Sequence, residues 1–180
     1  VTSGPGATNL VTGLATANYD SVPLVCFTGQ VSRHLIGNDA FQEVDIVGIT
    51  RSITKYGVTV HKREDLGRII KEAFYIARTG KPGPVVIDIP KDIQTAMGNE
   101  EYPEKIAIRG YKPASGVHAG QIKKAMSMLK SAKKPVILVG GGVRIAGAEE
   151  VLTEFAEKMN IPVITTIMGK GAMSSNHRLY

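Results

Sequence analysis

Short apolar runs alternate along this chain with segments of helical periodicity, and that alternation restricts its fold more than any other feature. Ala7, Leu10, Val11, Leu14 and Ala15 recur at the spacing that gives a helix one apolar face. The same spacing returns in Leu66, Ile69, Ile70, Ala73, Phe74 and Ala77, in Ile122, Ala125, Met126 and Leu129, and in Ala148, Val151, Leu152, Phe155, Ala156 and Met159. Between these segments lie runs at 24–27, 85–89, 136–139 and 163–167 that are apolar throughout and do not alternate with polar residues. Uniformly apolar short strands are those covered on both faces, so the pattern predicts an α/β fold with parallel sheets flanked by helices.

One stretch interrupts the alternation. From Lys91 to Gly116 the sequence is polar and broken by Pro103, Pro113 and several glycines. A structureless loop of that length is unusual inside a compact domain and ordinary between domains. The expected organisation is therefore a first unit at 1–92, a linker at 93–116 and a second unit at 117–180. The chain opens on Val1 inside a loop-to-helix motif and closes on HRLY in mid-segment. The expectation is a piece of a longer protein, with sheet edges that need the remainder for cover.

Composition removes several classes of function. With 43% hydrophobic and 21% charged residues the chain has the balance of a globular protein. No stretch approaches the roughly 20 apolar residues that span a bilayer, which excludes a helical membrane segment. The net charge of +6 comes in scattered pairs such as Lys62-Arg63 and Lys133-Lys134, without interleaved aromatics, so a solvated basic face is favoured over nucleic-acid binding. Cys26 is the single cysteine, and the four histidines lack metal-ligand spacing, so no metal site is expected within the chain.

Four motifs could carry chemistry, and each also has a plainer reading. Thr2-Ser3-Gly4-Pro5-Gly6 opens the first helix, either as a ligand-binding turn or as a tight loop. The apolar run at 24–27 leads through Thr28-Gly29-Gln30 to Ile36-Gly37-Asn38-Asp39-Ala40-Phe41-Gln42-Glu43. There Phe41 could close a pocket that Gln42 hydrogen-bonds, or fold into the core beneath a surface loop. Lys91 and Asp92 follow the strand-like PVVIDIP, where ligands gather in α/β sheets, or form a simple charge pair. Gly140, Gly141 and Gly142 follow another strand and permit close approach of a phosphate, but G-x-G-x-x-G and the acidic residue about 20 positions on are absent.

In order and spacing, the segments TSGPGATNLVTGLATANYDSVPLVCFTGQV, IGNDAFQEVDI, TRSITKYG, GKPGPVVIDIPKDIQ, KKPVILVGGGV and IPVITTIMGKG closely resemble the catalytic large subunits of the acetolactate synthase (acetohydroxyacid synthase) family. The resemblance covers essentially the whole chain and is thinnest in the linker. It implies a transferase that decarboxylates pyruvate on thiamine diphosphate and joins the two-carbon unit to a second pyruvate or to 2-oxobutyrate, in branched-chain amino acid biosynthesis. Residues 1–92 would be the later part of a pyrimidine-binding domain, and 117–180 the first part of a central FAD-binding domain. Carried over position by position, Ser21 and Gln42 lie near the thiamine cofactor, Phe41 at the substrate pocket and Lys91 at the access channel. Lys55 falls in that same region. Lys81, Gly140, Gly141, Gly142, Thr166 and Ile167 would bind FAD. The family further implies Mg²⁺ with its ligands outside this chain, a homodimer or tetramer with the active site at the subunit interface, a regulatory small subunit, and a cytoplasmic or organellar location.

Two positions depart from the family pattern. Ser32 stands where many relatives have Pro, and Lys81 where they have Arg, so a bidentate fork on a phosphate is lost. Two rival readings are another thiamine-diphosphate carboligase, such as glyoxylate carboligase, and a non-catalytic nucleotide-binding module. The Lys81 assignment carries its own test. Lys81→Ala in the full-length protein should weaken flavin retention through a desalting column, and unchanged retention would remove Lys81 from the flavin site.

Overall fold

The computed structural model describes residues 1–99, 102–114 and 116–180. It divides into two compact units, Val1–Ala114 and Ser115–Tyr180. The first holds a three-stranded, fully parallel sheet in the order β1 (Leu24–Gln30), β3 (Pro84–Pro90), β2 (Tyr56–Thr59). Strand β2 lies outside the runs expected from sequence, because YGVT lacks a long apolar run and is only half-buried. Central strand β3 is buried along almost its whole length, as its apolar sequence requires.

Successive β3 residues serve opposite faces of the sheet. Val85 and Ile87 pack with Ile69, Ala73, Ile76 and Ala77 of α4 (Leu66–Arg78). On the other face Val86 joins Cys26, Ala7, Leu14 and Ile46. These come from β1, α1 (Pro5–Thr8), α2 (Val11–Tyr19) and α3 (Ile46–Thr50). The single helix expected across residues 7–15 is thus two, parted at Asn9 and Leu10.

Part of the expected 93–116 linker belongs to the first unit instead. Helix α5 (Lys91–Thr95) follows β3 directly and buries Ile93, while Ile108 and Tyr111 pack on the α4–β3 core. The polar composition hides an anchoring tyrosine. The Tyr111 hydroxyl accepts from Lys55 Nζ at 3.2 Å and donates to the Thr79 carbonyl at 2.9 Å. Its ring meets Tyr75 edge-on at 6.1 Å. Glu100, Glu101 and Ser115, also in that stretch, lie outside the described residues.

In the second unit β4 (Ile137–Val139) and β5 (Val163–Thr165) pair in parallel, and a short helix α7 (Gly142–Ile145) follows β4. Val139, Val163, Ala156 of α8 (Glu149–Met159), Ala172, Met173 and Leu179 form its core. The opposite face of this sheet is open, with Leu138 at 67% and Ile164 at 54% exposure, so two-sided cover is not realised there. Helix α6 (Ala119–Ser131) forms as its periodicity predicts but buries none of its residues.

Among the described residues no helix is long and apolar enough to cross a membrane. Tyr111→Phe in the full-length protein should lower stability by about 1 kcal/mol, since it removes a half-buried hydroxyl with several partners. The expected readout is a reduced urea midpoint with unchanged slope, and an unmoved midpoint would contradict the anchoring role.

Candidate functional site

Toward the carboxyl edge of the first sheet, one face turns from apolar to polar. Along β1 the buried side chains run Cys26, Thr28, Gln30, and on β3 Val86 gives way to Asp88. Register sets Thr28 and Thr59 on either side of Asp88. Asp88 is 1% exposed. Its carboxylate accepts from Thr28 Oγ1 at 2.6 Å, Gln30 Nε2 at 3.1 Å and Thr59 Oγ1 at 3.3 Å. Burial pushes this carboxyl above the ordinary aspartate value, and the three hydrogen bonds draw it partly back.

The loop after β1 carries Phe41 and Gln42. Gln42 has φ +59°, as does Gly4. A Cβ on Gly4 would lie 2.7 Å from the Gln42 carbonyl oxygen, so only glycine allows the two backbones to meet. Glu43 closes the turn by accepting from the Gly37 and Ala40 amides, which hold its carboxyl below the usual range. Phe41 is 88% exposed and is not a core residue.

Lys91, at the start of α5, lines a cavity of about 400 Å³ together with Ser3, Thr28, Gln30 and Gln94. Beside it Asp92 accepts from the Arg33 backbone amide at 3.0 Å and from Arg33 Nε at 2.6 Å. These two donors hold the Asp92 carboxyl below its ordinary value. The plainer reading of Lys91 and Asp92 as a charge pair does not hold, since Asp92 pairs with Arg33 instead.

The structure brings Phe41, Gln42 and Lys91 to one sheet edge. Ser21, Lys55 and Lys81 are not among them. Each precedes a strand, so all three lie at the amino edge of the same parallel sheet. Ser21 takes a left-handed turn, with φ +59°, ahead of β1. Lys55 Nζ donates to the carbonyls of Ile76 and Thr79 at the end of α4, which makes it a helix-terminus clamp. Lys81 Nζ donates to the Asn18 carbonyl at 3.0 Å.

In the second unit the remaining candidates do converge. Gly140, Gly141 and Gly142 follow β4, and Thr166 and Ile167 follow β5, all at the carboxyl edge of that sheet. The Thr166 amide donates to the Val139 carbonyl at 2.9 Å, and Ile167 is 84% exposed.

Comparison with known proteins gives this geometry a family. The N-terminal TPP-binding domain of thiamine pyrophosphate enzymes matches residues 1–49, and the central domain of the same enzymes matches residues 122–180. The chain belongs to the thiamine pyrophosphate enzymes. It is 54% identical over 179 residues to the acetolactate synthase large subunit of Buchnera aphidicola subsp. Schizaphis graminum, covering 98% of this chain and 31% of the relative. It is 50% identical over 180 residues to the acetolactate synthase isozyme 3 large subunit of Escherichia coli K12, covering 99% and 31%. Against the acetolactate synthase large subunit of Corynebacterium glutamicum the identity is 52% over 179 residues, covering 99% and 29%. The chain thus spans about three-tenths of the length of these relatives.

The donor set of this thiamine pyrophosphate enzyme chain can be tested against the groups its family implies. Gln42 both donates and accepts, and exposed Phe41 beside it offers a flat apolar surface, which suits a polar aromatic ring. At the second edge a Cβ on Gly142 would meet nothing within 4 Å, so a phosphate could approach the backbone there. For a divalent cation the fit fails: among the described residues no three His, Cys, Asp or Glu side chains gather.

Sequence reasoning passed over Asp88 and Gln30. An aspartate inside the otherwise apolar PVVIDIP was the available signal, because a buried carboxylate requires donors. The sign of its ionisation gives a prediction. With the folded-state pKa raised, the stabilising contribution of Asp88 is full below the unfolded value and lost as pH rises through the folded one. Asp88→Asn should therefore cost more stability at about pH 4 than at about pH 7.5. Urea denaturation of both proteins at both values checks this, and a cost that grows with pH would contradict it.

Proposed function

We propose that the full-length protein carrying this chain is an acetolactate synthase. It decarboxylates pyruvate and joins the two-carbon unit to a second pyruvate or to 2-oxobutyrate, in branched-chain amino acid biosynthesis. The observation that carries this reading is identity of about half over nearly the whole chain with acetolactate synthase large subunits. Thiamine diphosphate, when bound, supplies the electron sink for decarboxylation. In this reading Gln42 orients the cofactor ring by hydrogen bonding, Phe41 bounds the acceptor site with an apolar surface, and Lys91 draws the carboxylate of the 2-oxo acid through the channel by its charge. Residues 1–92 belong to the pyrimidine-binding domain, and 117–180 open the central domain.

FAD would lie against Gly140, Gly141, Gly142, Thr166 and Ile167. Lys81 keeps two further N–H donors for a phosphate beyond its bond to Asn18. The magnesium ligands belong to other parts of the full-length protein. Ser21 and Lys55, at the amino edge, support the pocket through a neighbouring subunit in the assembled oligomer, with a regulatory small subunit as the further partner. The enzyme would work in the cytoplasm or an organelle.

The test is an assay of the full-length protein with thiamine diphosphate, Mg²⁺ and FAD, supplied in turn with pyruvate and with glyoxylate. Acetolactate from pyruvate is the expected product, and Gln42→Ala should lower kcat/KM at least about tenfold. Turnover of glyoxylate alone would assign a different carboligase, and turnover of neither would overturn the reading.

A further inference from the structure

The loop that carries Phe41 and Gln42 leaves and rejoins the first unit at one buried side chain. Gln30 is 6% exposed. Its Oε1 accepts from the Val31 amide at 2.9 Å, at the start of the loop. Its Nε2 donates to the Val44 carbonyl at 2.7 Å, at the end of the loop. One amide therefore staples both ends of the segment between residues 31 and 44. The orientation of that amide is forced. Turning it over would set Oε1 against the Val44 carbonyl and the Asp88 carboxylate, and an NH₂ group against the Val31 N–H. The remaining Nε2 hydrogen goes to Asp88 Oδ2 at 3.1 Å, and Asp88 is itself fixed by hydroxyls on both neighbouring strands.

Within the loop Glu43 ties Gly37 and Ala40 into a closed turn, and Arg33 near the loop's start is held separately by Asp92. The loop's far contact is the Gln42 backbone against Gly4. We propose that Asp88 and Gln30 are positioning residues that fix the 31–44 loop, and with it Gln42, against the carboxyl edge of the first sheet. This rests on the reading of the full-length protein as an acetolactate synthase with Gln42 in its active site. Asp88 acts through Gln30 and the loop, whereas Gln30 also borders the cavity beside Lys91, so Asp88→Asn is the primary variant.

The experiment is a double-mutant cycle in the full-length protein, with amide hydrogen exchange of residues 37–44 read alongside. Asp88→Asn keeps the shape but sets an N–H donor among groups that require an acceptor. It should lower kcat/KM for pyruvate about tenfold in the parent and less than about twofold in a Gln42→Ala background, because the residue it positions is already gone. Exchange across 37–44 should quicken about tenfold while exchange in α4 stays unchanged. Equal losses in both backgrounds, or unchanged exchange in the loop, would overturn the proposal. Should Asp88→Asn fail to fold, Gln30→Met removes the staple while leaving Asp88 its two hydroxyl donors, and the same non-additivity and loop exchange are required of it. If the unsubstituted protein leaves pyruvate untouched, the reading of function fails, while loop exchange still decides whether Asp88 and Gln30 hold the loop.

Discussion

A carboxylate removed from water costs several kcal/mol unless the fold supplies donors, and the first unit is arranged around one such group. Asp88 sits on the central strand, and its donors come from both flanking strands. The sheet must therefore keep its register for the cost to be offset. A slip of one residue would carry Asp88 to the apolar α4 face and leave Thr28 and Thr59 facing a hydrophobic residue. The same carboxylate that ties the strands also orders the loop above them through Gln30. Fold specification and site construction share one buried cluster.

The two edges of the parallel sheet are put to different uses. At the amino edge, side chains are committed to the scaffold. Lys55 closes the end of α4 and holds Tyr111. Midway along α4, Lys71 donates to the carbonyls of Pro103 and Glu104, so the polar segment after α5 is drawn onto the helix. At the carboxyl edge, glycine and left-handed backbone bring loops into contact, and side chains such as Phe41 remain exposed. Exposed side chains and close backbone contacts thus collect where a ligand can be met, while Lys55 and Lys71 serve stability.

Much of this was legible in the sequence. Periodicity gave α4 and α8, and the uniform apolar run of PVVIDIP gave the central strand. The parallel α/β architecture followed from their alternation. Tyr56–Thr59 escaped because a half-buried strand of four residues leaves no apolar run to read. Composition overstates the linker, since one tyrosine and one isoleucine in a polar stretch are enough to dock it once Lys55 and Thr79 offer partners. For the candidate site, strand-end logic pointed to Gln42, Lys91 and the Gly140–Gly142 turn, all of which follow strands at carboxyl edges. It could not tell an amino edge from a carboxyl edge for Ser21, Lys55 and Lys81, because those positions rested on family resemblance and not on their place relative to a strand. Asp88 was in plain view, yet its three partners are 29 to 60 residues away and only the folded register brings them together.

That the carboxyl edge of the first sheet is the working edge can be tested without any turnover. Amide hydrogen exchange of the full-length protein would be compared before and after adding thiamine diphosphate with Mg²⁺. Protection is predicted at residues 2–6 and 37–44, with none at the amino-edge turn around 80–83. Protection confined to the amino edge, with the 37–44 loop unchanged, would contradict it.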